Sequence, residues 1–195
     1  VGAYTYAEVI SGMTSFFLGA RSVCESATMK VRYTGSWYDQ GKEQEAATAL
    51  IEKDKCVLIS QHADSLGAPT ACELAGVPNV SYNGSTYSAG KNTFIVSSAI
   101  NWAPYFQYII ECAVKGQAID SDWCGDIATN SVVISGLNQG VAAEGTEAKL
   151  KEAIDAFKAG TLKVFATDKF TVDGKKLDQY MADIDGDFKG DTNVI

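Results

Sequence analysis

Short apolar segments alternate with helical patterns along the first 115 residues, and this alternation limits the folds open to the chain. The apolar segments have the length and composition of β-strands and lie at 1–3, 29–33, 56–60, 80–82 and 93–98. The helical patterns lie at 6–22, 41–53, 67–75 and 103–115. Strands that alternate with helices in this way predict βαβ units and a parallel sheet. The strands lack polar alternation, which indicates that helices cover both faces of the sheet.

The alternation becomes weaker after residue 116. A loop at 117–130 precedes a short apolar segment at 131–135, which we predict as a further strand. A charged helical pattern at 145–159 leads to another predicted strand at 163–166, and the remaining residues are rich in aspartate and glycine, as in surface turns. The whole pattern predicts an α/β fold with a parallel sheet flanked by helices.

The charge and the apolar content exclude two classes of partner. The net charge is −8, and the lysines are scattered rather than grouped into a basic stripe. A nucleic-acid-binding protein needs such a stripe to neutralise phosphates, so we expect no nucleic-acid partner. No apolar run reaches the roughly 18 residues of a membrane span, so we expect no span in this chain. A length of 195 residues is enough for one core, or for one lobe and part of another.

The sequence carries no pattern for a metal or a cofactor. The five cysteines form no C-x-x-C pair and have no histidine at zinc spacing. An acidic segment at 183–187 resembles a calcium loop, but Phe188 and Val194 occupy the positions that require glycine and glutamate. Neither a dinucleotide fingerprint nor a phosphate-binding P-loop pattern occurs. We therefore expect no metal site and no cofactor.

Cys112 and Cys124 are close enough in sequence for a disulfide between the end of a helix and the next loop. The alternative is that both are free thiols, which are common in protein cores. The odd number of cysteines leaves at least one thiol unpaired in either case. The cysteines thus leave the redox compartment open.

Aromatic, amide and small hydroxyl side chains follow the predicted strands. Ligands of open α/β sheets bind at the carboxyl ends of the strands, so these side chains form a candidate binding site. The candidate ligand-binding residues are Gly35, Ser36, Trp37, Asp39, Gln61, His62, Asp64, Asn83, Asn101 and Trp102. Such side chains suit a flat polar heterocycle or a small polar solute, and a base stacked on an aromatic ring gains about 1–3 kcal/mol.

Several of these residues have a structural alternative. His62 lies near Asp64 and Ser65 in sequence, but neighbours along one turn do not produce the geometry of a catalytic triad. Asp64 and Ser65 are typical of a cap for the helix that follows. Trp37 has the alternative of a half-buried aromatic at the end of the sheet, and Asn83 with the glycine after it is a turn signal. No nucleophile and base come together at the strand ends, so we predict binding and no catalytic residue.

Three segments carry a resemblance to a known family: 33–39 (YTGSWYD), 61–65 (QHADS) and 98–105 (SAINWAPY). In order and spacing they resemble the BMP (basic membrane protein, PnrA-like) family, whose members are substrate-binding lipoproteins of ABC transporters. The resemblance covers most of the chain. It implies a type I periplasmic-binding-protein fold, in which two Rossmann-like lobes joined by hinge strands close on a ligand.

The resemblance also implies how the chain is divided. Residues 1–92 would be a ligand-binding α/β lobe, residues 93–162 a hinge strand and a segment returning toward the other lobe, and residues 163–195 a C-terminal strand and acidic tail. A first lobe would precede Val1, so we expect the chain to be a piece of a longer protein. We also expect self-association through the surface that this lobe would cover.

The ligands implied by the resemblance are purine nucleosides or related heterocycles. Trp37 matches the family's base-stacking aromatic. Asn83 stands where nucleoside binders have an aspartate that holds the ribose, and Asn101 stands near where they have a lysine. Because of these departures, we expect a free purine base as the ligand at least as strongly as we expect a nucleoside. Gln61, Asp64 and Asn83 are expected to contact the edge of the base.

The function implied by the resemblance lies outside the cytoplasm. The expected protein is a membrane-anchored lipoprotein or periplasmic solute-binding component of an ABC importer, with a membrane permease as partner, and is not an enzyme. The alternative is the ligand-sensing effector domain of a regulator, because one fold can serve several functions.

Overall fold

The computed structural model describes residues 1–165 and residue 176, and its elements follow the order predicted from the sequence. The helices are α1 (Ala7–Val23), α2 (Gln40–Glu52), α3 (Gly67–Ala75), α4 (Ala103–Lys115) and α5 (Thr146–Lys158). The strands are β1 (Ile59–Ser60), β2 (Asn79–Tyr82), β3 (Phe94–Ile100) and β4 (Val132–Ile134). The prediction of an α/β fold is confirmed.

The strands form one sheet in the order β1-β2-β3-β4, with parallel pairing as far as β3. Two further segments extend the sheet beyond β1, because Gly2 bridges in parallel to His62 on one side and to Tyr33 on the other. The Gly2 N–H donates to the Arg32 carbonyl at 2.9 Å, and the His62 N–H donates to the Val1 carbonyl at 2.8 Å. The first predicted strand therefore lies between the second and the third.

The strand β4 runs antiparallel to β3, which differs from the parallel sheet predicted from the sequence. Ile100 pairs with Val132, so β4 begins at the edge of the sheet where β3 ends. A parallel strand would need a crossover that returns the chain to the opposite edge. The segment after α4 makes no such crossover, since the Asn101 N–H donates to the Ser131 carbonyl at 2.8 Å and the chain enters β4 directly.

The predicted strands differ in how fully they form. The first two remain single bridges, and β1 covers only the last two residues of the predicted strand at 56–60. Lys55 has a left-handed backbone with a φ of 58°, and Val57 is 82% exposed, so the chain reaches the sheet only at Ile59. Residues 163–165 do not form the strand predicted there, whereas residue 166 and the acidic segment at 183–187 lie outside the described residues.

The helices α2 and α3 pack against one face of the sheet and enclose the core. Its buried residues are Val1, Ala47, Leu50, Ile59, Ala68, Ala71 and Cys72. The two helices meet closely at Gly67, because a Cβ on this residue would lie 2.2 Å from the Gln40 carbonyl oxygen. Glycine at the start of α3 therefore allows the backbones of the two helices to touch.

The helix α1 lies over the opposite face of the sheet and is packed less tightly. Val9 is its buried residue, and Gly12 lies against the ring of His62. Across residues 1–165, no helix combines the length and the apolar character that a membrane crossing requires.

Candidate functional site

The sheet reverses its order at the first strand. The segment at 31–35 lies on one side of residues 1–3, and β1 lies on the other. In open α/β sheets such a reversal opens a crevice at the carboxyl ends of the strands, and ligands bind there. Tyr4 follows the central segment, Trp37 follows the outer one, and His62 follows β1. This is the edge at which the sequence predicts a binding site.

Five rings form one cluster at this edge, here called the Trp37 cluster: Tyr4, Tyr6, Trp37, His62 and Tyr82. Tyr4 and Tyr6 stack with their centroids 4.9 Å apart, and His62 stacks on Tyr82 at 4.0 Å. The Trp37 centroid lies 5.9 Å from that of Tyr4 and 6.3 Å from that of Tyr6. It lies 6.1 Å from the ring of His62. Trp37 is therefore the central ring, and aromatic pairs at such distances contribute about 0.5–1.5 kcal/mol each.

The turn that carries Trp37 is fixed by hydrogen bonds. Gly35 has a φ of 67°, in the left-handed region that favours glycine, and its N–H donates to the Ala3 carbonyl at 2.9 Å. The Ser36 hydroxyl accepts from a backbone N–H of the same turn at 3.3 Å. The Trp37 carbonyl accepts from the Asp64 N–H at 2.8 Å. Gly35 and Ser36 thus shape the turn, and Asp64 joins it to the turn after β1.

His62 is a buried side chain between α1 and the Trp37 cluster, with 8% of its surface exposed. A Cβ on Gly12 would lie 2.8 Å from the His62 Cδ2, so α1 needs glycine here to leave room for the ring. Burial lowers the pKa of His62, although the charges of Glu8 and Asp64 oppose this shift, and the ring is neutral at pH 7. Its Nδ1 is buried and has no hydrogen-bond partner among the described residues.

The residues of the triad alternative do not assemble. The Ser65 hydroxyl accepts from the Gly67 N–H at 3.1 Å, and Ser65 is 1% exposed. Ser65 therefore stabilises the start of α3, as the capping alternative predicts, while the N-cap position itself is occupied by Leu66 without a side-chain cap. The Asp64 side chain is exposed. Nothing in this arrangement activates a serine nucleophile.

Asp39 and Glu43 organise the start of α2. Asp39 Oδ1 accepts from the Lys42 N–H at 3.0 Å, and this hydrogen bond holds the pKa of Asp39 below its usual range. Glu43 is 0% exposed, and its Oε1 accepts from the Asp39 N–H at 3.4 Å and from the Ser65 N–H at 3.2 Å. Glu43 thus ties the turn of Trp37 to the turn after β1. Glu43 is absent from the predicted site residues. A glutamate that follows a capping aspartate in sequence could have indicated its role at the start of the helix.

Three predicted amide side chains make hydrogen bonds to the backbone. Gln61 is 5% exposed and donates to two carbonyls of the turn that follows it, at 3.1 and 3.2 Å. Asn83 has a φ of 55° and accepts from the Ile100 N–H at 3.3 Å. Asn101 donates to the Asn130 carbonyl at 2.9 Å. These bonds hold the strand ends in place, and of the three side chains that of Asn83 lies exposed.

Trp102 belongs to a second aromatic cluster, formed at α4. Its ring centroid lies 6.5 Å from that of Tyr105 and 6.3 Å from that of Phe106, and Tyr105 lies 5.1 Å from Trp123. No ring contact among residues 1–165 joins these aromatics to the Trp37 cluster. The ring of Trp102 is therefore separate from the Trp37 cluster, whereas Asn83 reaches the strand end beside Asn101 through its bond to Ile100.

The described part of the chain contains no group of three histidine, cysteine, aspartate or glutamate side chains that could hold a metal ion. Cys112 and Cys124 are both free thiols in the structure, which agrees with the free-thiol alternative and not with a disulfide. Cys112 is buried and Cys124 is exposed.

Three rings of the Trp37 cluster are absent from the predicted site residues: Tyr4, Tyr6 and Tyr82. Their place directly after the first strand, or at the end of β2, was a usable signal. Which of the strand-end aromatics meet depends on the order of the strands, and the sequence does not state this order.

Comparison with known proteins identifies relatives by sequence. The profile of a family described as ABC transporter substrate-binding protein, PnrA-like, matches residues 1–162. A Haloferax volcanii protein named as an ABC transporter glucose-binding protein is 34% identical over 126 residues, which are 64% of this chain and 32% of that relative. A purine-binding protein of Brucella abortus is 33% identical over 106 residues, which are 54% of this chain and 30% of that relative.

Two solved structures share the fold. An ABC transporter solute-binding protein from Conexibacter woesei has a TM-score of 0.68 and 22% identity, over 83% of this chain and 54% of that one. A transcriptional activator of the comK gene from Bacillus halodurans has a TM-score of 0.67 and 19% identity, over 80% and 54%. At these identities the likeness shows the fold alone. The chain spans about half the length of both structures and less than a third of the two sequence relatives.

Proposed function

The chain belongs to the PnrA-like family of ABC transporter substrate-binding proteins, as the resemblance of its three motifs implied, and from this membership we propose that it binds a purine base, a nucleoside or a similar heterocycle. The protein acts as an extracytoplasmic solute-binding component of an ABC importer, as a lipoprotein or in a periplasm, and delivers the solute to a membrane permease. The purine-binding relative supports this ligand class. We propose no catalytic role.

The observation that carries the proposal is the central position of Trp37 in a cluster of five rings at the reversal of the strand order. A flat heterocycle gains about 1–3 kcal/mol by stacking on such a ring. Among the neighbouring polar groups, the Asp39 carboxylate and the Gln61 amide nitrogen are already bonded to backbone. A sugar needs many free polar partners, so this arrangement favours a flat ligand over glucose.

Polar contacts to the ligand edge complete the proposed site. His62 Nδ1 and Gln61 Oε1 are buried atoms without a hydrogen-bond partner in the described part of the chain, and a ligand would satisfy them. Asp64 and Asn83 have exposed side chains and supply the remaining edge contacts. Because Asn83 is an amide, its bond to a ribose hydroxyl would lack charge assistance. Base and nucleoside should therefore bind with similar affinity.

The proposal extends to the arrangement of the lobes. Residues 1–92 form the ligand-binding lobe, residues 93–162 contain the hinge strand and the returning segment, and residues 163–195 complete the chain, while a further lobe closes over the ligand. One side of α4 offers an apolar surface for that lobe, or for self-association in its absence. The exposed fractions on this side are 57% for Trp102, 54% for Phe106, 63% for Ile110 and 82% for Val114.

A ligand-sensing domain of a regulator is the second candidate. Its support is the likeness to a transcriptional activator, which at 19% identity concerns the fold alone. Both sequence relatives above 30% identity are binding proteins by name. Transport therefore remains the preferred function.

Isothermal titration calorimetry with adenine, adenosine and glucose tests the ligand class. We expect saturable binding of adenine, binding of adenosine within about tenfold of it because no charged group holds the ribose, and no binding of glucose. Binding of glucose without binding of either purine would contradict the proposal. Glucose serves as the control because it lacks a flat aromatic face.

A further inference from the structure

A cavity of about 570 Å³ lies between α1 and the face of the sheet that α1 covers. This volume falls within the range of about 300–1,000 Å³ that is typical of small-molecule sites. Ser60, Val80, Tyr82 and Ser98 line it from the sheet. Their register pairs Ser60 with Val80 and Tyr82 with Ser98, so all four belong to the same face of the sheet. The opposite face packs on α2 and α3, and the cavity borders that core, since Val1, Leu50 and Ile59 belong to both.

The middle of the cavity is apolar. On the α1 side its lining includes Met13, Phe16, Phe17 and Ala20, and on the sheet side it includes Val31 and Val80. Aromatic, thioether and branched aliphatic side chains offer an apolar molecule a favourable environment, because such a molecule loses contact with water on entering. An uncharged interior of this kind suits a hydrocarbon group.

The cavity extends along the strands as well as across them. Leu58, before β1, and His62, after it, both line the cavity, and four residues of strand rise separate them by about 13 Å. The stacked rings of His62 and Tyr82 line the end of the cavity at the carboxyl ends of the strands, where they form part of the Trp37 cluster. This length along the strands accommodates an extended acyl chain.

Two lysines line the opposite end, where the strands begin. Lys30 and Lys55 are exposed there, and neither forms an ion pair with another described residue. Asp54 also lines this end, and its carboxylate is already paired with Arg32 at 2.7 Å. The charge left over at this end is positive, which complements an anionic head group.

We propose that this cavity binds a fatty carboxylate, with its acyl chain between α1 and the sheet and its carboxylate at Lys30 and Lys55. The acyl chain ends at His62 and Tyr82. His62 and Tyr82 both belong to the Trp37 cluster, so the cavity and the solute site share these two side chains as a wall.

Calorimetric titration with dodecanoate, below the concentration at which it forms micelles, tests the proposal on the whole chain. We expect saturable binding of dodecanoate and binding of octanoate that is weaker by about tenfold or more, because each missing methylene removes buried apolar surface. Dodecyltrimethylammonium, which has the opposite charge, should bind at least about fivefold more weakly. No binding of dodecanoate, or equal binding of the cationic amphiphile, would overturn the proposal.

Two variants locate the binding site. Ala20→Trp fills the cavity and should weaken dodecanoate binding by more than about tenfold, whereas Leu18→Trp, on a residue of α1 outside the lining, should not change it. Thermal melting of both variants establishes that they fold. Unchanged binding in a folded Ala20→Trp variant would overturn the proposed location.

The double change Lys30→Gln and Lys55→Gln tests the head group. It should weaken dodecanoate binding by about fivefold, since exposed ion pairs are individually weak, and should leave dodecanol binding unchanged. Lys53→Gln is the matched control, because Lys53 lies close by in sequence but does not line the cavity. Equal effects of Lys53→Gln and of the double change would overturn the assignment of the carboxylate to Lys30 and Lys55.

Discussion

Glu43 links the two turns that carry the candidate site. Its carboxylate accepts N–H bonds from both turns beside the Trp37 cluster, and its side chain is completely buried. Burial raises the pKa of Glu43, and the bonds from Ser65 and Asp39 offset only part of this effect. The neighbouring charge of Asp64 acts in the same direction as burial.

We predict that the contribution of Glu43 to the free energy of unfolding decreases as the pH rises. The unfolded carboxyl has a pKa of about 4.3, and the folded one is higher. Its contribution is therefore fully present below the unfolded pKa and is lost as the pH rises through the folded pKa. Glu43→Gln removes the titration and keeps an oxygen acceptor. Urea unfolding from about pH 4 to about pH 8 should show the variant gaining stability relative to wild type.

Glu45→Gln is the matched control for this series. Glu45 lies on the same helix with an exposed side chain. The Glu45→Gln variant and wild type should give pH profiles of stability that run parallel. If the pH profiles of stability for wild type and Glu43→Gln ran parallel, this would contradict the claim that burial raises the pKa of Glu43.

At the level of elements, the sequence predicts helices better than strands. The helices α3 and α4 have the predicted bounds, and each of the others differs by one residue at both ends. The apolar periodicity of a helix involves only neighbouring residues, so it can be read directly from the sequence. The first two strands and β1 form few bonds, because their pairing depends on partners far away in the chain. The antiparallel direction of β4 is likewise set by a distant contact, between Asn101 and Ser131.

The same distinction applies to the candidate site. The sequence predicts Trp37 and His62 from their positions after strands, and the structure brings them together. It does not reveal that Tyr82 meets His62, because this contact depends on β2 lying beside β1. Nor does it reveal that Asn101 and Trp102 lie apart from the cluster, since β3 is separated from β1 by β2.

Gly67 sets how closely α2 and α3 approach each other. A Cβ at this position would overlap the Gln40 carbonyl oxygen at 2.2 Å, and backbone cannot move aside as a flexible side chain can. We predict that Gly67→Ala lowers the free energy of unfolding by about 1–3 kcal/mol, measured by urea denaturation.

The control for this change is a glycine with free space around it. Gly19 lies within α1, and a Cβ there would meet no atom within 4 Å. Gly19→Ala should stabilise the protein by about 0.5–1 kcal/mol, since alanine has the higher helix propensity. If both substitutions had the same sign, steric overlap at Gly67 would not be the cause of its effect.

In the molecule as a whole, the two faces of the sheet serve different purposes. The face toward α2 and α3 holds the compact core, where Gly67 lets the two helices meet and Glu43 joins α2 to the turns of the candidate site. The face toward α1 leaves a cavity that reaches His62 from below. The Trp37 cluster lies at the edge between these layers, and Tyr6 within it is 55% exposed. An edge of this kind forms a suitable wall for a cleft that a second lobe closes.

The affinity of a Trp37→Ala variant for adenine, measured by calorimetry beside wild type, tests the central claim most directly. If Trp37 is the stacking ring, its removal should raise the Kd by about tenfold to a hundredfold. Trp123→Ala, which removes a tryptophan from the second aromatic cluster, should leave the Kd unchanged. An unchanged Kd in the Trp37→Ala variant, or an equal loss in both variants, would contradict the placement of the ligand at the Trp37 cluster.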